Sequence, residues 1–371
     1  MIYLDYAANT PPDDIVIDKF IEITKKYIAN PNSSHPLGRL AKEEIDKSSE
    51  YIANYFKTNK ENVIYTSGSS ESNNLIIKGI AEINKDKGNK IIISEVEHSS
   101  IIAPCNYLST LGYDIEIIHL TKKGIIDLKE LENTIDDKTI LVSICTVDSE
   151  LGTIQPIDKI GTIVSKYPNC VFHTDATQGI GKIDIDYSNV DFITLAPHKF
   201  YGLNGFGALI NRNNIKIIPL IHGGKSTTIY RSGTPVTANV VAFKTALELS
   251  INNLPKRYKY IKQLNDKLRI ELSKYKCIHI NSPQNSIPNT LNISIINKDT
   301  KKTLKLLEEK EIFLSTTTAC SIGDTPSKSV LAITGNNNFA SNTIRISISH
   351  LTKEQDIDKF IKTLSEILNK I

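Results

Sequence analysis

Lys199 stands at the end of an apolar run, Val190-Asp-Phe-Ile-Thr-Leu195, inside Thr194-Leu-Ala-Pro-His-Lys-Phe-Tyr-Gly202. A lysine at the end of a buried strand is costly unless it stays solvated, pairs with an anion or condenses with a carbonyl. Alone it would read as one more solvated surface group. An acid upstream changes that reading. Asp175 closes a second apolar run, Cys170-Val-Phe172, in His173-Thr-Asp-Ala-Thr-Gln178. An amine and a carboxylate at the ends of neighbouring strands are what pyridoxal 5'-phosphate needs. The lysine condenses with its aldehyde, and the carboxylate keeps the pyridine nitrogen protonated. Just beyond Lys199, Tyr201-Gly-Leu-Asn-Gly-Phe-Gly207 holds three glycines, which predicts a turn where backbone approaches something closely.

Other stretches carry chemistry with two readings each. Thr66-Ser-Gly-Ser-Ser-Glu-Ser-Asn-Asn74 is a strand end, a glycine turn and a helix start. Ser69 and Ser70 are either phosphate donors at a helix N-terminus or ordinary capping residues; the company of Lys199 and Asp175 favours phosphate. His98, in Glu95-Val-Glu-His-Ser-Ser100, either stacks on a ring and shuttles protons or is structural. Thr146-Val-Asp-Ser-Glu-Leu-Gly-Thr-Ile-Gln155 is a substrate-contacting or a helix-capping loop. His222-Gly-Gly and Tyr230-Arg-Ser-Gly-Thr-Pro235 read as an anion-binding segment or a surface turn. Arg345 lies in the apolar strand Thr343-Ile-Arg-Ile-Ser, where it must find an anion: a substrate carboxylate or a structural ion pair. Cys320 lies in Ser315-Thr-Thr-Thr-Ala-Cys-Ser-Ile-Gly-Asp-Thr-Pro326, small and polar, where a cysteine is placed to react rather than to pack.

These residues need a frame that brings them together. Strand-like runs at 62–66, 90–94, 114–118 and 139–144 alternate with helical runs at 71–85, 99–111, 127–133 and 158–166. Such alternation implies a mainly parallel sheet with helices on both faces, and ligands bind such sheets at the strands' carboxyl ends. Each main motif follows a predicted strand. Helical patterns at 13–29 and 38–56 precede this region, with Pro12 expected to open the first helix. After Pro235 a long helical stretch, 236–274, is expected to break at Pro255. A smaller α+β lobe follows. The predicted division is a large domain over 13–255 and a small domain made of 1–12 and 256–371.

Composition excludes several classes. With 40% hydrophobic and 23% charged residues over 371, the chain is globular and can bury a substantial core. Lys+Arg is 44 against 41 Asp+Glu, interspersed, so nothing points to nucleic acid or a membrane surface. No run reaches membrane-spanning length, and Met1-Ile-Tyr-Leu-Asp-Tyr lacks a signal-type core, so a cytoplasmic location is expected. Five widely spaced cysteines with no C-x-x-C argue against a disulfide framework or a metal site. Cys145 and Cys170 are expected to be buried and inert.

Together the motifs resemble the cysteine desulfurases of the NifS/IscS type, in the class V aminotransferase-like group of fold-type I pyridoxal phosphate enzymes. The resemblance runs from Tyr3-Leu-Asp-Tyr-Ala-Ala to Thr343-Ile-Arg-Ile-Ser and includes Glu-Leu-Gly-Thr-Ile-Gln-Pro-Ile, Asp-Ala-Thr-Gln, His-Lys-Phe-Tyr-Gly, Arg-Ser-Gly-Thr and Thr-Ala-Cys-Ser. It implies an α/β fold of the aspartate aminotransferase-like type. It also implies conversion of L-cysteine to L-alanine, with the sulfur left as a persulfide on Cys320. By the resemblance, Lys199 would carry the cofactor, Asp175 would hold its ring nitrogen and Gln178 would bond its phenolic oxygen. His98 would stack on the ring and move protons. Ser69, Ser70 and His198 would hold the phosphate. Thr234 would reach the phosphate of a second subunit, implying a homodimer. Arg345 would hold the substrate carboxylate. An acceptor protein, a tRNA-thiolating enzyme or an iron–sulfur scaffold, would take the sulfur.

Three departures from the family pattern stand out. Ala196 replaces a phosphate-binding serine. Asp148-Ser-Glu150 replaces Asn-Asn-Glu, which puts Ser149 where an asparagine normally touches cofactor and substrate. The stretch from Cys320 to Pro326 is about one residue shorter than in housekeeping members, which leans towards desulfurases serving tRNA thiolation or thiamine synthesis. The rival readings are another class V enzyme, an aminotransferase or selenocysteine lyase with no need of Cys320, and an inactive scaffold of the same fold acting through protein contacts.

Overall fold

Short β-branched runs become strands, and the amphipathic runs between them become helices. The computed structural model describes residues 1–316 and 325–370, so Cys320 lies outside the described residues. The strands are β1 (Ile2–Tyr3), β2 (Val63–Thr66), β3 (Lys90–Ser94), β4 (Asp114–Ile118), β5 (Thr139–Ser143) and β6 (Val171–Asp175). They continue as β7 (Phe192–Leu195), β8 (Gly207–Asn211), β9 (Ile278–Ile280), β10 (Thr290–Ile295), β11 (Ile312–Phe313) and β12 (Thr343–Ser347). The first helices are α1 (Asp14–Lys26), α2 (Pro36–Tyr55), α3 (Ser69–Ile83), α4 (Ser99–Ser109), α5 (Leu128–Thr134) and α6 (Ile157–Val164). The later ones are α7 (Thr237–Asn252), α8 (Leu254–Leu272), α9 (Thr300–Glu308), α10 (Lys328–Thr334), α11 (Asn337–Ser341) and α12 (Glu354–Lys370).

Among the described residues the main sheet has seven strands in the order β2-β8-β7-β6-β5-β3-β4. Pairing is parallel from β7 to β4, and β8 runs antiparallel to both β2 and β7. Alternate residues face opposite ways, as the strand period of two requires. Ile92, Val142 and Phe172 enter one core, while Ile91, Leu141 and Val171 enter the other. The sheet is therefore covered on both faces, as the alternation predicted. A separate antiparallel sheet, β12-β10-β9, packs with α8 and α12 around a third core. β1 pairs with β11 in parallel, with Ile2 opposite Ile312. No helix among the described residues is long and apolar enough to cross a membrane.

Four local expectations are corrected. The glycine-rich stretch after Lys199 yields a strand, β8, as well as a turn; Gly207-Ala-Leu-Ile-Asn211 is fully buried between two partners. α3 begins at Ser69 rather than Glu71. Asp13 caps α1 by accepting from Ile15 N, so Pro12 lies ahead of the helix rather than in its first turn. The long helical stretch breaks at Asn253, and Pro255 sits in the first turn of α8, where its missing N–H costs no bond.

Candidate active site

The carboxyl ends of β2, β3, β5, β6 and β7 converge on a cavity of about 250 Å³. α3 meets it end-on. Its cap is Gly68, at φ 154°, which offers no side chain to the first-turn amides. A Cβ on Gly207 would lie 2.7 Å from the Cα and carbonyl carbon of Gly68, so glycine packs against glycine here. Ser69 and Ser70 line the cavity beside those amides. Glu71, in the same turn, accepts from Ser67 N at 2.7 Å and from Arg231 Nε at 2.9 Å. Arg231 is thus tied to α3 instead of facing the cavity. The helix dipole and the first-turn N–H groups suit this end to an anion.

Asp175, at the end of β6, is 7% exposed. Its Oδ1 accepts from Thr177 N at 2.9 Å and its Oδ2 from Asn73 Nδ2 at 2.8 Å. Asn73 Nδ2 also donates to Ser100 Oγ at 2.9 Å, and Ser100 Oγ lies 2.8 Å from His98 Nδ1. A chain of hydrogen bonds therefore joins the acid to the imidazole. His98 caps α4, with Nδ1 accepting from Ser100 N at 3.1 Å. That fixes the neutral ring's proton on Nε2. Burial holds the His98 pKa below its usual value and Lys199 adds to this, against the opposing pull of Asp175. Sequence reasoning missed Asn73 and Ser100. The available signal was spacing: Asn73 is one helical turn after Ser69 and shares its face.

Lys199 ends a one-turn 3-10 helix, Pro197–Lys199, directly after β7. Its Nζ donates to the carbonyls of Ala7 at 2.8 Å and Ala8 at 2.6 Å. Gln178 Nε2 donates to the same Ala7 carbonyl at 2.9 Å, and its Oε1 accepts from Lys182 Nζ at 2.6 Å. The N-terminal segment thus becomes one wall of the cavity. His198 lines it too, its pKa pushed down to about 4 by burial, then by Lys199 and Lys182.

Lys182 was also missed by the sequence reading. Burial, then Lys199 and Arg345, bring its pKa from an ordinary 10.5 down to about 7. The folded value lies below the unfolded one, so the unfolded chain binds more protons between about pH 7 and 10.5, and stability rises with pH across that window. In the cofactor-free protein this rise is expected to be flattened by Lys182→Met. Thermal unfolding of parent and variant at neutral pH and at about pH 10 checks it, and equal pH slopes would refute the assignment.

Arg345 and Ser149 close the far side of the cavity. The Arg345 side chain is 2% exposed, with Nη2 at 2.9 Å from Asp5 Oδ1 and Nη1 donating to the Ser149 carbonyl at 3.1 Å. The structural ion pair is thus present, and the guanidinium residue also lines the cavity. Asp148 faces away from the cavity. Its Oδ1 accepts from the N–H groups of Glu150 and Leu151, and its Oδ2 from Ser329 Oγ at 2.8 Å. Burial raises its pKa, with those three donors and Arg345 opposing. Glu150 accepts from Ser327 Oγ, the cap of α10. The family departure at 148 therefore adds its charge to a loop clasp behind the site. Gln155 proves structural: it bridges the Gly124 carbonyl and Ile126 N. Thr234 is exposed and outside the cavity lining.

The cysteines within the described residues separate cleanly. Burial pushes the thiols of Cys105, Cys145 and Cys170 well up. None is a thiolate near neutral pH, as expected for Cys145 and Cys170. The donor set fits pyridoxal phosphate: an uncapped helix end for phosphate, a held carboxylate for a ring N–H, and a lysine between them. Thr177 Oγ1, buried on the cavity wall, has no hydrogen-bond partner among the described residues.

Known proteins resemble this chain over its whole length. The family model described as Aminotransferase class-V matches residues 2–360. Cysteine desulfurase IscS of Dictyoglomus turgidum is 35% identical over 375 residues, spanning all of this chain and 95% of the relative. A solved structure described as a NifS-like protein superposes with a TM-score of 0.93 at 32% identity, over the full length of both chains. A second, SspA in complex with cysteine, gives 0.83 at 31% identity over 94% of this chain and 99% of that one.

Proposed function

The chain belongs to the class-V aminotransferase family, and from that premise we propose that it is a cysteine desulfurase whose cavity removes sulfur from L-cysteine and leaves L-alanine. One observation carries this reading: Lys199, Asp175, His98 and Arg345 line a single cavity at the carboxyl edge of the sheet. An amine, a held acid, a neutral imidazole and a guanidinium are what an α-amino-acid site on pyridoxal phosphate requires. Pyridoxal phosphate, when bound, supplies an electron sink that lets the α-proton leave and loosens the bond to sulfur.

The chain's own residues do the rest. Lys199 would carry the cofactor and take the proton from the substrate's α-carbon at Nζ. Asp175, oriented by its two donors, would hold the ring-nitrogen proton. The first-turn amides of α3 with Ser69, Ser70 and His198 would hold the phosphate, and Gln178 the phenolic oxygen. His98 would lie over the ring and present a proton at Nε2. Arg345, with Ser149 beside it, would fix the substrate carboxylate. Cys320 would attack the substrate sulfur, keep it as a persulfide and deliver it to an acceptor protein, a tRNA-thiolating enzyme or an iron–sulfur scaffold. Thr234 would serve a second subunit.

The deciding experiment is alanine release from L-cysteine by the cofactor-loaded protein with dithiothreitol as acceptor. Cys320→Ala is expected to fall to less than about one hundredth of the parent rate. Cys277→Ala, a partly exposed cysteine outside the cavity lining, is the control and should match the parent. Full turnover by Cys320→Ala would remove the desulfurase mechanism and favour another class V reaction.

A further inference from the structure

Arg345 faces the cavity already engaged. Nη2 meets Asp5 Oδ1 at 2.9 Å, and Nη1 donates to the Ser149 carbonyl at 3.1 Å. Nε is buried and has no hydrogen-bond partner among the described residues. Asp5 is held twice more: its Oδ2 accepts from Ser315 Oγ at 2.7 Å, and its backbone bridges to Ser347 beside Arg345. The Asp5 side chain is 17% exposed, so the ion pair is largely desolvated.

A carboxylate binds a guanidinium best in plane, through two adjacent N–H donors. An incoming α-carboxylate meets a fork that Asp5 already occupies on one side. Placing both carboxylates on one buried guanidinium sets two like charges within a few ångströms, which disfavours keeping both. Asp5 has an exit, because Ser315 still holds Oδ2 and solvent reaches the side chain.

We propose that Asp5 is an internal competitor for Arg345, displaced when a substrate carboxylate binds. It lowers the affinity that a bare guanidinium would give, and it keeps a buried cation paired while the site is empty. It thereby sets which amines settle in the cavity: those whose own carboxylate replaces Asp5. The inference rests on the reading that Arg345 receives the substrate carboxylate.

The test uses the cofactor-loaded protein and two small amines, L-alanine and ethylamine, which differ by the carboxylate. Binding is followed by the change in cofactor absorbance. Asp5→Asn is expected to bind L-alanine about tenfold more tightly than the parent, a shift of about 1.4 kcal/mol, with ethylamine unchanged. Its melting temperature without ligand should fall below the parent's, and saturating L-alanine should narrow the gap. Equal or weaker L-alanine binding by a folded Asp5→Asn would overturn the proposal, because Asp5 would then merely orient Arg345. A structure of the parent with L-alanine is the independent check. A broken Asp5–Arg345 contact is expected, and an intact pair would overturn the proposal even if the variant fails to fold. Absorbance that responds to neither amine in the parent would overturn the reading of the cavity itself, and the proposal with it.

Discussion

Asp175→Ala is expected to cut alanine formation from L-cysteine by about 10³-fold while leaving the cofactor attached through Lys199. The carboxylate's position is determined by three elements. β6 delivers it to the cavity, Thr177 N fixes Oδ1, and Asn73 on α3 fixes Oδ2. Without it, no carboxylate remains where the ring-nitrogen proton would sit, and the electron sink is weakened at the step that needs it. The structural cost is smaller. Asn73 keeps its bond to Ser100, and the loss of an acceptor costs roughly 1–3 kcal/mol. A rate loss of 10³ corresponds to about 4 kcal/mol in the barrier. Single-turnover alanine formation at saturating cofactor, beside a melting curve, separates the two effects. A variant retaining more than about a tenth of the parent rate would show that Asp175 does not serve the ring.

Gly207→Ala is expected to weaken cofactor binding by about 10²-fold without touching any residue that contacts the cofactor. The added methyl would lie 2.7 Å from two backbone atoms of Gly68 and 3.0 Å from the Leu195 carbonyl. Neither neighbour is a flexible side chain that can swing away. Gly68 caps α3, and Leu195 ends the strand that leads to Lys199. The substitution therefore wedges the α3 end of the cavity away from the Lys199 end. Displacements of about 1 Å at such positions cost on the order of 10²-fold. Gly205→Ala is the contrast. At φ 73° it strains the backbone, yet nothing lies within 4 Å of its Cβ, so affinity should hold. Titration of both apo-variants with pyridoxal phosphate decides. A Gly207→Ala dissociation constant within about threefold of the parent would defeat the wedge argument.

Residues whose role follows from their place after a strand were legible in the sequence. Lys199, Asp175, His98, Ser69 and Ser70 each follow a β-branched run, and parallel strands bring such positions to one edge. The close approach predicted at 201–207 is the contact of Gly207 with Gly68. β8 was hidden because its first residue is a glycine and its run is short. Asn73 shares a helical face with Ser69, but its role, like those of Ser100, Lys182 and Asp5, was hidden for another reason. Each acts through a partner that local pattern does not reveal: Asn73 reaches Asp175 across 102 residues, and Asp5 reaches Arg345 across 340. Lys182 is near Gln178 in sequence, but its depressed pKa comes from burial and from Lys199 and Arg345. Asp148 was legible as a departure, but not its direction. Only the bonds to its own loop and to Ser329 turn that charge away from the cavity.

The wall built from the first residues of the chain has a consequence for biosynthesis. Ile2 pairs with Ile312, Asp5 with Arg345, and Ala7 N donates to Ser347 Oγ. At roughly 5–20 residues per second, a ribosome needs tens of seconds after making Asp5 before it reaches Arg345. The seven-stranded sheet is complete by Asn211 and has its core partners soon after. The nascent chain can therefore fold its main layer while the opening segment still lacks β11 and β12. Until those strands emerge, Asp5 has no Arg345 to pair with, although Thr10 already ties the segment to His198 and Tyr201. A chain stalled before β12 is then a folded sheet whose cavity lacks Arg345.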